Sequence, residues 1–238
     1  MRTLGILGGM SWESTASYYR LLNQGVRERM GGLHSAPLLL HSVDFAGIAE
    51  LQKSGDWQAA GELLAAAARG LQQAGAGAVL LATNTMHKVA PVIEAALDIP
   101  LLHIADAVGQ ALHNAGIRRA ALLGTRFTMQ EDFYRERLSR GFAMQIVLPD
   151  RSAMTELDRI IFAELCRGSF TTSSRDFYLQ QLEQLRAAGA EAAILGCTEI
   201  GLLLQDCAAP LPLFDSTGWH VAMGLEWLLA DAPLRTNS

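Results

Sequence analysis

Cys197 closes the run Ala192-Ala193-Ile194-Leu195-Gly196 and is followed at once by Thr198 and Glu199. A thiol that ends an apolar strand beside a glycine, a hydroxyl and a carboxylate is placed for proton transfer or nucleophilic attack. At the start of a helix its thiolate is expected to be favoured and its pKa lowered. Thr83 closes a matching run, Ala78-Val79-Leu80-Leu81-Ala82, and leads into Asn84 and Thr85. A threonine hydroxyl is a weak base, so Thr83 suits delivering or relaying a proton better than abstracting one. A duplicated fold that brings the two strand ends together sets Thr83 opposite Cys197, as chemistry with one group on each face of a carbon requires. For a free cysteine in general the plainer reading is a small buried hydrophobe, and it is adopted for Cys166 and Cys207.

The duplication extends beyond these lines. Ile6-Leu7-Gly8-Gly9 is answered by Leu122-Leu123-Gly124-Thr125, and Tyr18 and Leu22 by Tyr134 and Leu138 at the same offset. Pro100-Leu101 before Asp106 is answered by Pro210-Leu211 before Asp215. A period this long is not that of a solenoid. It predicts an α/β fold of two pseudo-symmetric domains, each a mostly parallel sheet flanked by helices. The first domain is expected to comprise residues 1–115 and 217–238, and the second 116–216, with the chain crossing between them near Ala115-Gly116 and Ser216 to Gly218.

The elements that must hold the polar residues follow from periodicity and punctuation. Strands are expected over Thr3–Leu7, Pro37–Val43 (buried), Val79–Ala82, Pro100–Ile104, Ala120–Leu123, Met144–Leu148, Ala192–Leu195 and Pro212–Phe214. Helices are expected from Ser11, as cap, to about Arg29, then over Ala59–Gln73, Met86–Leu97, Ala105–Asn114, Met129–Arg140, Thr155–Arg167, Ser173–Ala188 and Trp219–Leu229. Ligands of parallel α/β sheets sit beyond the carboxyl ends of the strands. Four loops lie there: Gly8 to Glu13, Thr83 to His87, Gly124 to Thr128 and Gly196 to Glu199. Each offers backbone N–H groups suited to a carboxylate. An ordinary helix cap accounts for any one of them, and Thr128 with Glu131 fits a capping box. Four in matching places is a rarer coincidence. Gly8-Gly9 lacks the spacing of a dinucleotide fingerprint.

The 238 residues are 50% hydrophobic and 18% charged, which supplies two cores and excludes a disordered chain. A net charge of −5 with no basic cluster gives no footprint for nucleic acid. No apolar run approaches the ~20 residues of a membrane span, and the N-terminus lacks a signal-peptide layout. Three cysteines without a CxxC pair argue against disulfides and structural zinc. The expectation is a soluble cytoplasmic protein with no nucleic-acid or membrane partner.

Gly196-Cys197-Thr198-Glu199-Ile200 resembles the second signature of the cofactor-independent aspartate/glutamate racemases. Thr83-Asn84-Thr85-Met86-His87 resembles the first, in which a cysteine normally precedes the asparagine. Gly8-Gly9-Met10-Ser11-Trp12-Glu13-Ser14-Thr15 and Gly124-Thr125 with Thr128 extend the resemblance to essentially the whole chain. It is most similar to the enteric-type, broad-specificity amino-acid racemase subgroup, with Thr83 in place of the first catalytic cysteine.

The resemblance implies a site between the two domains, a homodimer, and proton transfer at the α-carbon of an amino acid without pyridoxal phosphate or any other cofactor. It assigns Cys197 to the L-enantiomer and Thr83 to the opposite face. Asn84, Thr85 and Thr198 are expected to hold the α-carboxylate and amine, with Met10 and Thr128 lining the same cleft. His41-Ser42-Val43-Asp44 and the following helix, including Gln52, lie where the family selects the side chain. No arginine there matches a clamp for a second carboxylate, and Glu164 and Cys166 stand where some relatives place a lysine. Both departures leave open whether the substrate side chain is acidic or neutral.

Cofactor chemistry finds no residues to match: a pyridoxal enzyme needs a Schiff-base lysine, and the only lysines are Lys53 and Lys88. The histidines lack an i, i+4 pair suited to a metal. His87 either touches substrate or caps its helix. Two further readings compete with the racemase. One is a lyase or isomerase of the same superfamily, such as a malonate-type decarboxylase using the single Cys197. The other is a carboxylate-binding protein without turnover.

Overall fold

The computed structural model describes residues 1–205 and 207–231; the expected first-domain tail 232–238 lies outside the described residues. In chain order the elements are β1 (Leu4–Gly8), α1 (Trp12–Met30), β2 (Leu38–Ser42), α2 (Phe45–Ser54), α3 (Trp57–Gln73) and β3 (Ala78–Leu81). A 3-10 turn (Thr85–Val89), α4 (Ala90–Glu94), β4 (Leu101–Leu102) and α5 (Ile104–Asn114) follow. Then come β5 (Arg119–Gly124), α6 (Arg126–Gln130), α7 (Asp132–Phe142), β6 (Gln145–Val147), α8 (Arg151–Ala163) and α9 (Thr172–Ala187). β7 (Ala192–Gly196), α10 (Thr198–Leu203), β8 (Leu213–Asp215) and α11 (Ser216–Leu229) complete the described chain.

The strands form two four-stranded sheets, ordered β2-β1-β3-β4 and β6-β5-β7-β8, with every pairing parallel. A parallel strand is apolar on both faces, and each face needs its own cover. In β3, Val79 and Leu81 join the core made with Leu64, Ala68 and Ile93 of α3 and α4. Ala78 and Leu80, alternating with them, join Tyr18 and Leu22 of α1 and Leu225 of α11. In β7, Ala193 and Leu195 face Leu157, Ile161 and Tyr178 of α8 and α9, while Ala192 and Ile194 face Val108 of α5 and Tyr134 of α7.

Two compact units result. One comprises Met1–His103 and the chain from His220 onward; the other is Ile104–Trp219. The expected boundary near 115–116 assigns the helix after β4 to the first unit, whereas α5 packs on α7 within the second. Correspondingly α11, which follows the second unit's last strand, covers the first sheet from His220 on. Each sheet is thus finished by the helix that leaves the other.

Several expected elements differ in detail. The run Pro37–Val43 reads as a buried strand, yet β2 is an edge strand with Leu40 49% exposed. The expected helix over Met86–Leu97 begins as a 3-10 turn and restarts at α4, where Pro91 fits the first turn because it has no N–H to bond. The expected helix from Met129 to Arg140 is broken at Glu131, whose extended backbone (φ −85°, ψ 153°) separates α6 from α7. β4 is only two residues long, because Ile104 already opens α5. Among the described residues no helix is long and apolar enough to cross a membrane.

Leu80, in an inner strand and 0% exposed, is expected to lose ~2–5 kcal/mol on substitution by alanine. Leu40→Ala on the edge strand is expected to cost less than ~1 kcal/mol. Urea unfolding of both variants checks the contrast.

Candidate functional site

In the first unit the polar residues hang on the ends of β1 and β3. Val43 N–H donates to the Gly8 carbonyl at 3.0 Å, and Gly9 N–H to Thr15 Oγ1 at 2.8 Å. Gly9 has φ +98°, and a Cβ there would stand 2.2 Å from the Val43 carbonyl oxygen, so only glycine fits this turn. Met10, 6% exposed, joins the apolar cluster of Leu7 and Met86. Ser11 caps α1 as its sequence predicts, accepting from Ser14 N–H.

Beyond β3 the chain turns sharply: Thr83 N–H donates to the Leu81 carbonyl at 2.8 Å. Thr83 keeps some exposed surface, while Asn84 and Thr85 are buried. The Thr83 carbonyl accepts from His87 Nδ1 at 2.7 Å. His87 is 1% exposed, so of its two expected roles this geometry is that of a cap on the turn. Gln52 of α2 donates from Nε2 to Met86 Sδ at 2.9 Å, which holds α2 against the same turn. Lys88 Nζ lies 3.8 Å from the centroid of the Trp57 ring, engaged as a cation over an aromatic face.

The second unit arranges its matching loops at the ends of β5 and β7. Thr125, not Thr128, caps the short helix here: its Oγ1 accepts from Thr128 N–H at 3.3 Å. Thr128 lies inside α6 and caps no helix among the described residues, so the expected capping box with Glu131 is not what the structure holds; Glu131 sits instead at the break between α6 and α7. Thr128 is fully buried, with its hydroxyl 3.2 Å from that of Thr125. Its methyl fills the space that the two loop glycines leave: a Cβ on Gly196 would lie 3.2 Å from Thr128 Cγ2 and 3.0 Å from the Leu123 carbonyl oxygen.

Cys197 occupies the N-cap of α10 with an extended backbone. Its thiol donates to Glu199 Oε2 across 2.9 Å. The residue keeps some surface, but burial pushes the thiol pKa well up, and the adjacent Glu199 carboxylate pushes it further. This reverses the expectation from sequence of a lowered pKa. A helix of six residues has little dipole to offer, and a carboxylate at hydrogen-bond distance outweighs it. Thr198 Oγ1 lies 3.3 Å from Thr217 Oγ1 in the first turn of α11. Asp215 accepts from the N–H groups of Thr217 and Gly218, both at 3.1 Å, and burial raises its pKa.

Glu164, where a substrate-binding lysine was the comparison, is committed elsewhere. It accepts from the Ser174 hydroxyl, from Thr171 Oγ1 at 3.3 Å and from Arg159 Nη2 at 2.9 Å, tying the end of α8 to the start of α9. The Ser174 hydrogen bond, then Arg159, hold its pKa below the usual carboxylate range. Cys166 is exposed, and not a buried hydrophobe as its sequence suggests. Among the described residues no group of three or more His, Cys, Asp or Glu side chains is disposed to hold a metal ion.

The predicted residues thus fall into two sets. Met10, Gln52, Thr83, Asn84 and Thr85 surround the β1 and β3 ends of one unit, and Thr128, Cys197 and Thr198 the β5 and β7 ends of the other. Reading the sequence by motif missed His103, His220, Asp215 and Thr217. Laying the second half over the first through the sheet registers, Val79↔Leu101 and Ala193↔Leu213, would have drawn notice to two of them. The place of Asp215 is taken after β4 by His103, and not by the Asp106 that the sequence repeat pairs with Asp215.

The family described as Asp/Glu/hydantoin racemase matches residues 7–224. A crystal structure from Yersinia pestis assigned to the Asp/Glu racemases is 48% identical, covering 96% of this chain and 100% of that one with a TM-score of 0.91. That of an aspartate racemase homologue from Pyrococcus horikoshii is 31% identical, covering 96% of this chain and 99% of that one with a TM-score of 0.84. The broad specificity amino-acid racemase RacX of Bacillus subtilis is 24% identical over 150 residues, which are 62% of this chain and 63% of that protein.

Removing the negative neighbour lowers the penalty for a thiolate, so Glu199→Gln is expected to move the ionisation of Cys197 to lower pH. Alkylation of Cys197 by iodoacetamide across a pH series, followed by mass spectrometry, checks this. An unmoved profile would mean that the carboxylate does not govern the thiol.

Proposed function

The chain belongs to the Asp/Glu/hydantoin racemase family, and on that premise we propose that it is an amino-acid racemase working without pyridoxal phosphate. The observation that carries this reading is the Cys197 thiol set 2.9 Å from the Glu199 carboxylate at the end of a central strand. Glu199 accepts the thiol proton as substrate binds. The thiolate then takes the Cα proton of the L-enantiomer: the S–H bond forms, the Cα–H bond breaks, and the electron pair moves into the α-carboxylate as an enediolate. Thr83 gives its hydroxyl proton to the opposite face of Cα and is refilled from solvent, while Glu199 releases to solvent the proton it took, so that thiol, carboxylate and hydroxyl begin the next turnover as before. The raised thiol pKa suits this division of labour, because a more basic thiolate is a stronger proton acceptor.

Asn84, Thr85 and Thr198 hold the α-carboxylate and amine. Aspartate, glutamate and uncharged amino acids all remain within scope, since position 164 carries an acid already bound to Ser174, Thr171 and Arg159. The enzyme works as a cytoplasmic homodimer in this reading. Thr83 makes the D-enantiomer the poorer substrate, because a hydroxyl abstracts a proton less readily than a thiolate; the equilibrium ratio is unchanged.

Incubation of L-aspartate, L-glutamate and several neutral L-amino acids in deuterium oxide tests the reading by deuterium at Cα. Cys197→Ser is expected to lower exchange by about a hundredfold or more with folding nearly intact, and a fully active variant would rule out thiol chemistry. Thr83→Cys is expected to raise turnover of the D-enantiomer; no change would mean that position 83 does not serve Cα. Carbon dioxide released from an arylmalonate, without exchange on amino acids, would move the assignment to a decarboxylase.

A further inference from the structure

Beneath Thr83 lies a buried group of side chains that the reaction above does not use. His87, His103, His220 and Tyr18 are each no more than 2% exposed. The His87 ring centroid is 4.3 Å from that of His103 and 5.7 Å from that of His220. Four separate elements supply them: α1, the 3-10 turn, the residue after β4, and α11. An interior built for stability alone would place apolar side chains here, since each imidazole must be matched by hydrogen bonds or forfeit ~1–3 kcal/mol.

The hydrogen bonds set the tautomers. The Thr83 carbonyl can only accept, so His87 carries its proton on Nδ1. The Leu102 carbonyl, 2.8 Å from His220 Nε2, likewise requires a proton on that nitrogen. In the neutral ring His220 Nδ1 is then an acceptor, and Tyr18 donates its hydroxyl proton to it across 3.0 Å. Thr83 consequently has both backbone polar groups engaged, its N–H on Leu81 and its carbonyl on His87. That fixes the direction of its Cα–Cβ bond, and with it the reach of the hydroxyl.

The duplicated half supplies the control. Tyr134 answers Tyr18 in the sequence, Gly201 stands four residues after Cys197 as His87 does after Thr83, and Asp215 answers His103 through the strand registers. Counting from the starts of α5 and α11, Val108 answers His220. A Cβ on Gly201 would lie 3.9 Å from the Asp215 carboxyl carbon, so the two positions adjoin in this half as well. Among the described residues the Tyr134 hydroxyl, fully buried, has no hydrogen-bond partner. Among the described residues the histidine network therefore exists under the threonine and not under the cysteine.

We propose that His87, its ring packed against His103 and the Tyr18–His220 pair, is the positioning residue that aims Thr83 at its face of the substrate carbon. This rests on the racemase reading and specifies how the weaker of its two groups is made competent. A hydroxyl that must hand over a proton depends on close placement against the carbon it serves.

The experiment runs the wild-type enzyme, His87→Leu, His87→Asn and Tyr18→Phe in deuterium oxide with the L-amino acid that the wild type exchanges fastest. Deuterated product is separated into inverted and retained enantiomers. In His87→Leu the inverted-to-retained ratio is expected to fall about tenfold, while retained exchange, which Cys197 performs alone, changes by less than about twofold. His87→Asn places an amide N–H near the lost Nδ1 and is expected to restore the ratio to within about threefold of wild type. Tyr18→Phe, which removes one hydroxyl and keeps the ring, covers the case in which His87→Leu does not fold, and is expected to lower the same ratio. An unchanged ratio in the folded variants, beside a wild type that inverts, would overturn the positioning role and leave the racemase reading standing. Absence of exchange in the wild type would instead overturn the racemase reading. The imidazole nitrogen-15 spectrum then decides the remaining geometry: a protonated His87 Nδ1 shielded from solvent is expected, and its absence would overturn the network itself.

Discussion

A parallel sheet exposes apolar side chains on both faces, and neither face is stable until something covers it. In this chain that requirement is met across the duplication. The sheet of β1 and β3 receives α11 as part of its second cover, and the sheet of β5 and β7 receives α5. The loops that carry the polar chemistry all leave the carboxyl ends of the two inner strand pairs. Their placement follows directly from the buried strands, since Leu81, Leu123 and Leu195 sit two residues before Thr83, Thr125 and Cys197 and are at most 2% exposed.

Duplication supplies two similar frames, and the differences between them carry the chemistry. One frame ends in a thiol against a carboxylate, the other in a threonine whose carbonyl accepts from an imidazole packed against two more. Both polar groups are set by short local interactions, Cys197 with Glu199 two residues on and Thr83 with His87 four residues on. The surroundings of each differ in kind. A carboxylate raises the cost of ionising the thiol, while an imidazole hydrogen bond holds the threonine backbone.

Much of this is legible in the sequence, and for identifiable reasons. The repeated Gly-Ala turn, apolar run and polar triplet mark β3 and β7, because buried parallel strands leave no room for other residue types. Ser11 signals its helix through the capping preference. What sequence reading loses depends on long-range neighbours. Leu38 to Leu40 look as apolar as any core strand, yet among the described residues β2 stands at the edge of its sheet. The breaks at Glu131 and Val89 are choices of backbone angle that a helix-compatible composition does not reveal. The direction of the Cys197 shift needs the distance to Glu199, and the part played by Glu164 needs Ser174 and Thr171. His103 and His220 are far apart in sequence and meet only through the fold.

The helix exchange also bears on how the protein is made. During synthesis the residues up to His103 leave the ribosome first, but the sheet they form lacks the apolar cover of Val221, Leu225, Leu228 and Leu229 until the final helix has been translated. The intervening unit, by contrast, is complete once Trp219 has emerged. The unit of β1 and β3 is therefore the later of the two to reach its finished form, and until α11 arrives that face of its sheet is covered only in part, by α1.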